Sequence, residues 1–194
     1  MKNILFDYMT RLTSLSEEEK QAIVNEIHID EFKKGTVLFR QGEVPTKCYF
    51  ILKGCIRQYS IDEEGREITS NFYTEEQAIA IINHHKLDKS SDYTIACVED
   101  SVVVVGDLDT EKDMYTKYTQ LELMTRQMIE GSFSQVKAEF AAFIASSPEE
   151  RFKTLLMKRP SLVDRVPQHQ LASFLGMTPE SLSRIKKRIH RDNN

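Results

Sequence analysis

Twenty-two residues near the C-terminal end, Gln168 to Ile189 (QHQLASFLGMTPESLSRIKKRI), restrict the fold more than any other stretch of the chain. They meet the steric demands of two short helices that cross at a steep angle. Ala172 is small where a second helix has to pass close by, and Gly176 can take the positive φ that ends the first helix without a Cβ penalty. Thr178 is placed to cap the second helix and Pro179 to start it, because the N–H that proline lacks would have no partner in a first turn. Leu171, Leu175, Met177, Leu182 and Ile185 supply a small core between the helices, and Ile189 continues the stripe. The pattern is that of a helix-turn-helix.

Opposite that stripe, Glu180, Ser183, Arg184 and Lys187 are spaced by three and four residues and share one exposed face. Such side chains suit nucleic acid. An Arg can bind guanine O6 and N7 together, and a Glu can accept from cytosine N4, so Arg184 and Glu180 are expected to read bases in a major groove. Ser183 is placed to touch a base or a phosphate. Lys186, Lys187 and Arg188 are expected to bind phosphate and so position the helix without reading sequence, and Thr178 and Ser181 are expected at the same DNA-binding surface. The net charge of −4 argues the other way until its distribution is considered. Residues 149–194 hold ten Lys and Arg against five acids, whereas 1–148 carry a balance of −9. A basic end on an acidic body is expected to face a polyanion.

Upstream, the chain reads as two further parts. Ser16 and Glu19 form a capping box ahead of Ile23, Val24 and Ile27, which predicts a helix over 14–28. Short β-type runs follow over about 29–108: Thr36–Phe39, Cys48–Leu52, Ile56–Ser60, Thr94–Cys97 and Val102–Val105. Turn signals at Gly35, Gly42, Gly54 and Gly65 separate them, which predicts a β-sandwich or barrel-like roll. Residues 75–91 break that rhythm, and Gln77–Ile82 reads equally as short helix or strand. From 111 to 145 there is no proline, and apolar residues keep helical spacing at Leu121, Met124 and Met128, then at Ile129, Phe133, Val136, Phe140 and Phe143. One long helix is predicted there. Its stripe needs the β-roll or a second copy of itself as partner, and Leu121, Met124, Met128, Phe133 and Val136 are the expected pairing residues. Ser147, Pro148 and Glu150 then open another helix, with a second capping box. The expected class is α+β: a β-roll with its N-terminal helix over 1–110, a dimerisation helix over 111–146 and a helix-turn-helix domain over 147–194.

This order of parts resembles the Crp/Fnr family of bacterial transcription regulators. Lys34-Gly35-Thr36-Val37-Leu38-Phe39-Arg40-Gln41-Gly42-Glu43, the Gly54 turn and Glu180-x-x-Ser183-Arg184 carry the resemblance. It implies a jelly-roll-like double-stranded β-helix of the cyclic-nucleotide-binding type, a homodimer, a palindromic operator in double-stranded DNA and RNA polymerase as a further partner. Within the family, Glu180-x-x-Ser183-Arg184 is similar to the Fnr-type recognition helix, and Pro179 stands where the Crp type carries an additional Arg. The effector region departs from the family. Ala80-Ile81 stands where Gly-Glu would take the ribose hydroxyl, and Ser90-Ser91 where Arg-Ser would neutralise the cyclic phosphate. Ile81, Lys89, Ser90 and Ser91 are therefore the expected effector-pocket residues, and cyclic AMP bound in the usual mode is not expected. Which small molecule acts as effector, if one does, is left open.

Other chemistries find little support. Cys48, Cys55 and Cys97 have neither CxxC nor metal-type spacing and are expected as buried small hydrophobes. His84-His85 could ligate haem or a metal, but a histidine pair in a polar loop is more simply solvated. Neither a metal nor another cofactor is expected. Ser134-x-x-Lys137 and Ser183-x-x-Lys186 lack the companion motifs of a β-lactamase-like site, and no phosphate-cradling glycine loop occurs, so an enzyme is not expected. The first twelve residues lack the build of a signal peptide, and no run approaches about eighteen apolar residues. A cytoplasmic location without a membrane partner is the expectation. The competing functional reading is a small-molecule or cyclic-nucleotide-binding module that does not bind DNA.

Overall fold

The computed structural model describes residues 2–79, 88–107 and 111–192, with side chains described at 4–79, 88–107, 113–127 and 140–191. Two helices lead, α1 (Lys2–Leu12) and α2 (Glu17–Glu26). The Ser16 hydroxyl accepts the Glu19 amide and the Glu19 carboxylate accepts the Ser16 amide, so the capping box forms as its residues predict. Eight strands follow among the described residues: β1 (His28–Phe32), β2 (Val37–Phe39), β3 (Lys47–Lys53), β4 (Ile56–Ile61), β5 (Glu67–Tyr73), β6 (Ala78–Ile79), β7 (Thr94–Cys97) and β8 (Ser101–Asp107). They pair antiparallel in two four-stranded sheets, ordered β1-β8-β3-β6 and β2-β7-β4-β5.

The apolar faces of these sheets meet on Phe39, Tyr49, Ile51, Ile56, Ile79, Ile95, Cys97 and Val103. That inner layer is what strands of alternating burial require. Each sheet is also covered on its outer side. Leu52 and Val102 of the first sheet pack with Leu5, Met9, Ile23, Tyr118 and Met124 from the helices. On the second sheet, Phe72 joins Cys55 and Val98 in one cluster with Phe152, Leu155, Leu171, Leu182 and Ile185 of the C-terminal helices. The β-roll therefore lies between two helical layers, in an α+β architecture.

The predicted single helix over 111–145 is divided into α3 (Glu111–Lys117) and α4 (Thr119–Ala145). Tyr118 makes the break, at φ −127° and ψ 80°. Its ring is buried in the cluster under α1 and α2, and its hydroxyl lies 3.4 Å from the Glu26 carboxylate. Burying that ring against α2 turns the chain out of helical register. Met124, expected on the pairing face, is only 5% exposed and packs inward within its own chain, as Leu121 does. The open face of α4 is instead marked by Leu123 at 54% exposure and by Phe140 and Ile144 at 65% each. The side chains of Met128, Phe133 and Val136 lie outside the described residues.

After α4 come α5 (Pro148–Lys158), α6 (Leu162–Arg165), α7 (Gln168–Phe174) and α8 (Pro179–Asp192). Ser147 and Glu150 close the second capping box. Gln77–Ile82, read equally as helix or strand, holds β6 at Ala78–Ile79, and its last residues lie outside the described ones.

Candidate nucleic-acid interface

Helix α7 ends where the sequence demands. Gly176 takes φ +65°, its amide donates to the Ser173 carbonyl at 3.0 Å, and the Met177 amide donates to Ala172 at 3.0 Å. This pair of bonds satisfies carbonyls that the last helical turn leaves without partners. The Thr178 hydroxyl then accepts the Ser181 amide at 3.2 Å and caps α8. Leu171, Ala172, Leu175, Leu182 and Ile185 are buried between the helices, and Met177 and Ile189 pack against them half-buried.

With that stripe turned inward, α8 exposes Glu180, Arg184, Lys187 and Arg188, while Ser181 and Ser183 are half-buried. The Glu180 carboxyl is held below the usual carboxylate range, first by its own backbone amide at the helix start and then by the Thr178 hydroxyl. It is ionised at neutral pH, as an acceptor for a base amino group has to be. Among the described residues Arg184 makes a single 3.4 Å approach, to the Glu180 carbonyl, and its side chain is exposed along the same face. Arg188 is paired with Glu149 of α5, which also holds Lys153 at 2.7 Å. Lys186 lies over the Phe152 ring, 5.9 Å from its centroid.

Several residues that position this surface carry no local sequence signal. Arg151 of α5 donates to the Phe143 carbonyl at 3.1 Å and to the Leu175 carbonyl at 3.2 Å, and its guanidinium sits 3.7 Å from the Phe143 ring centroid. One cation thereby serves the C-terminal ends of both α4 and α7, where partial negative charge collects. Arg165 of α6 binds Glu75 and Glu99 of the β-roll, and Arg159 donates to the Phe72 carbonyl. The Thr69 amide donates to the Ser173 hydroxyl at 2.9 Å, and that hydroxyl donates to the Glu67 carbonyl at 3.2 Å. Phe72 and Phe174 meet edge to face, with centroids 5.4 Å apart. Helix α7 is thus seated on β5, and the position of α8 is set by the β-roll.

In the expected effector region, Ser90 and Ser91 are buried and Lys89 is exposed with φ +55°. The Ser91 hydroxyl donates to the Tyr93 carbonyl at 2.8 Å and accepts the Tyr93 amide at 3.0 Å. The Ser90 hydroxyl donates to the Asp88 carboxylate at 3.0 Å. Both hydroxyls have partners within their own turn. Ile81 and His84-His85 lie outside the described residues. Cys55 and Cys97 are buried as expected, Cys48 is half-buried, and none of the three forms a disulfide.

Residues 29–118 match the family model of the cyclic nucleotide-binding domain. The whole chain is similar to the fumarate and nitrate reduction regulatory protein of Yersinia pestis, at 24% identity over 93% of this chain and 76% of that protein. Among solved structures, FixK2 from Bradyrhizobium japonicum superposes with a TM-score of 0.73 at 15% identity, covering 86% of each chain. A Crp/Fnr regulator from Eubacterium rectale does so with a TM-score of 0.66 at 19% identity, over 92% of this chain and 85% of that one. The chain thus carries a cyclic nucleotide-binding domain and is similar over most of its length to a regulatory protein. The β-roll, long helix and C-terminal helical end of the chain lie within the length that superposes on FixK2. Among its described residues, no helix is long and apolar enough to cross a membrane.

Proposed function

We propose that this chain is a dimeric, sequence-specific DNA-binding transcription regulator of Crp/Fnr type, with α8 as its recognition helix. The observation that carries the reading is the division of α8 into a buried side, Leu182 and Ile185, and an open side, Glu180, Arg184 and Lys187. Arg184 and Glu180 read bases, and Ser183 stands between them at the groove. Thr178, Ser181, Lys187 and Arg188 bind phosphate and hold the helix in register. A two-fold dimer presents two copies of α8 to half-sites about one turn of DNA apart, which gives a palindromic operator. Phe140 and Ile144, four residues apart and open on α4, support a second copy of the chain as the pairing partner. The working division is the β-roll over 1–110, the pairing helix over 111–146 and the DNA-binding part over 147–194, in a protein of the cytoplasm with RNA polymerase as a further partner.

The β-roll in this reading does not take cyclic AMP in the usual mode. Ala80-Ile81 offers no carboxylate to a ribose, and the Ser90 and Ser91 hydroxyls are already bonded in their own turn. Selection of binding sites from a random duplex pool, followed by footprinting with the wild type and Arg184→Ala, tests the assignment. Arg184→Ala costs about 1–3 kcal/mol at its cognate guanine and relaxes preference there. Absence of a selected sequence, or an unchanged preference in the variant, refutes direct reading by α8. A monomeric mass at micromolar concentration refutes the dimer.

A further inference from the structure

The β-roll touches Arg165 of α6 at two places far apart in its sequence. The guanidinium donates to both oxygens of Glu75, at 2.7 and 2.9 Å, and its Nε donates to Glu99 at 3.0 Å. Glu75 stands ahead of β6, and Glu99 stands two residues after β7. One planar cation thus grips the entry and the exit of the stretch that contains the Ser90–Tyr93 turn.

Two residues of that stretch leave the ordinary backbone region. Among the described residues, the positions other than glycine with positive φ are Glu76, at +65°, and Lys89, at +55°. Such conformations persist only where their surroundings over-determine them, and they collect at clamps and switch segments. Glu76 is fixed by Arg11 of α1 at 2.6 Å and by its own amide, which donates to the Ile51 carbonyl at 2.9 Å. Beyond Lys89, the Ser91 amide donates to the Glu43 carbonyl and the Gly42 amide to the Ser91 carbonyl, both at 2.8 Å. From this turn β7 leads directly to Arg165. Strand β7 is paired with β2 on one side and β4 on the other, the Val98 amide donates to the Cys55 carbonyl at 2.8 Å, and Glu99 then meets the guanidinium. A strand paired on both sides bends little, so a shift at one end reaches the other.

We propose that Arg165 is a positioning residue that couples the Ser90–Tyr93 turn to the seat of the C-terminal helices, with β7 as the link. Displacement of the turn draws Glu99 off the guanidinium, and lifting of α6 releases the turn. The two effects are reciprocal, because one coupling free energy serves both directions. The coupling is a property of the folded chain and stands whether or not α8 reads DNA. Under the DNA-binding reading above, it is the route by which a change in the β-roll reaches α8.

A double-mutant cycle tests it, read by the reaction of Cys55 with iodoacetamide, since that thiol is buried with Phe152, Leu171 and Leu182 under the C-terminal helices. Ser91→Ala removes both hydroxyl bonds to Tyr93. It speeds the Cys55 reaction about fivefold, the worth of about one hydrogen bond, while Cys97 between the sheets keeps its rate. In Arg165→Ala, which is faster by itself, Ser91→Ala adds nothing. Independent sites, here about 25 Å apart along an extended strand, would instead multiply their effects. Lys33→Ala breaks the ion pair to Asp100, next to Glu99, without touching the C-terminal helices, and leaves Cys55 at the wild-type rate. The reverse direction needs no change in the turn. Arg165→Ala lowers the protection of the Gly42 and Ser91 amides from hydrogen exchange about fivefold, with a thermal melt to show that the variant is folded. The proposal is overturned if the effects of Ser91→Ala and Arg165→Ala multiply, if either variant leaves the opposite end unchanged, or if Lys33→Ala speeds Cys55 as Ser91→Ala does.

Discussion

Arg165 and Glu75 meet across the boundary between the C-terminal helices and the β-roll, 2.7 Å apart, and the same guanidinium also holds Glu99. Glu75 accepts in addition the amide of Gly54, in the turn between β3 and β4. One cation therefore ties α6 to two loops of the β-roll, at the edge of the apolar cluster that contains Cys55, Phe72 and Leu171.

Removing that cation loosens the seat of the C-terminal helices. Arg165→Ala leaves Glu75 and Glu99 close together without their shared donor, at a cost of about 1–3 kcal/mol per charged hydrogen bond lost. The opening is read at Cys55, whose thiol is pushed up to about 12, chiefly by burial. At pH 8 it reacts with iodoacetamide only when the helices leave β5. The variant therefore alkylates Cys55 about tenfold faster or more, while Cys97, buried between the two sheets, keeps its rate. Arg165→Lys restores little, because one ammonium cannot span two carboxylates as a planar fork does. Equal acceleration at Cys97 would show global destabilisation instead.

The same contact gives a pH dependence of known sign. Burial pushes the Glu75 carboxyl up, but the bonds from Arg165 and the Gly54 amide outweigh it and leave it below the usual range. A carboxyl lowered in the folded state contributes stability that is fully present above its ordinary value, near 4.5, and is lost as the pH falls through the lowered one. Protection of the β5 and α7 amides from hydrogen exchange, taken relative to the intrinsic rate at each pH, stays level from pH 7 to about pH 5 and falls below about pH 4. In Glu75→Gln the exchange is faster at neutral pH and the acid step is smaller. An acid step of unchanged size in that variant would remove Glu75 as its cause.

Gly176 offers a test of the turn itself. A Cβ added there lies 3.0 Å from the Arg151 guanidinium and 3.1 Å from the Phe143 ring, on a residue at φ +65°. Gly176→Ala costs about 1–2 kcal/mol from the left-handed backbone alone, with crowding in addition. Urea denaturation reads the loss, and Gly176→Asn loses less because asparagine tolerates that conformation. Equal stability of the alanine variant would mean that the turn can relax.

These residues also show what a single sequence carries. The capping boxes at Ser16 and Ser147, the Gly176 turn and the Thr178-Pro179 start were legible because each depends on partners three or four residues away. The buried stripe of α8 follows from the same local periodicity. Strands β1 (HIDEF) and β5 (EITSNFY) were harder, since charged and polar residues interrupt their alternation and pairing partners lie far along the chain. The break at Tyr118 and the inward turn of Met124 depend on α1 and α2 packing beside them, which helical spacing alone does not register. The seat of the C-terminal helices on the β-roll was invisible for the plainest reason. Arg165 lies 90 residues from Glu75 in sequence, and it reads as one more member of a basic tail until the fold brings the two together.

Glu149 supplies the last test, at the rim of the proposed DNA surface. Its carboxylate is held below the usual range, first by the bond from Lys153 and also by the charge of Arg188. The pair occupies Arg188 when no DNA is present, so phosphate binding by Arg188 competes with an internal partner. Glu149→Gln removes both the competition and a negative charge beside the groove, and DNA binding at low salt tightens. If Arg188 then gains a full phosphate contact, the plot of log affinity against log salt steepens by about 0.9. The gain is the same for specific and random duplexes, because phosphate contacts carry no sequence information. It disappears in Glu149→Gln combined with Arg188→Ala. Should the double variant keep the gain, Glu149 acts through Lys153 or the general field, and Arg188 is not the phosphate contact.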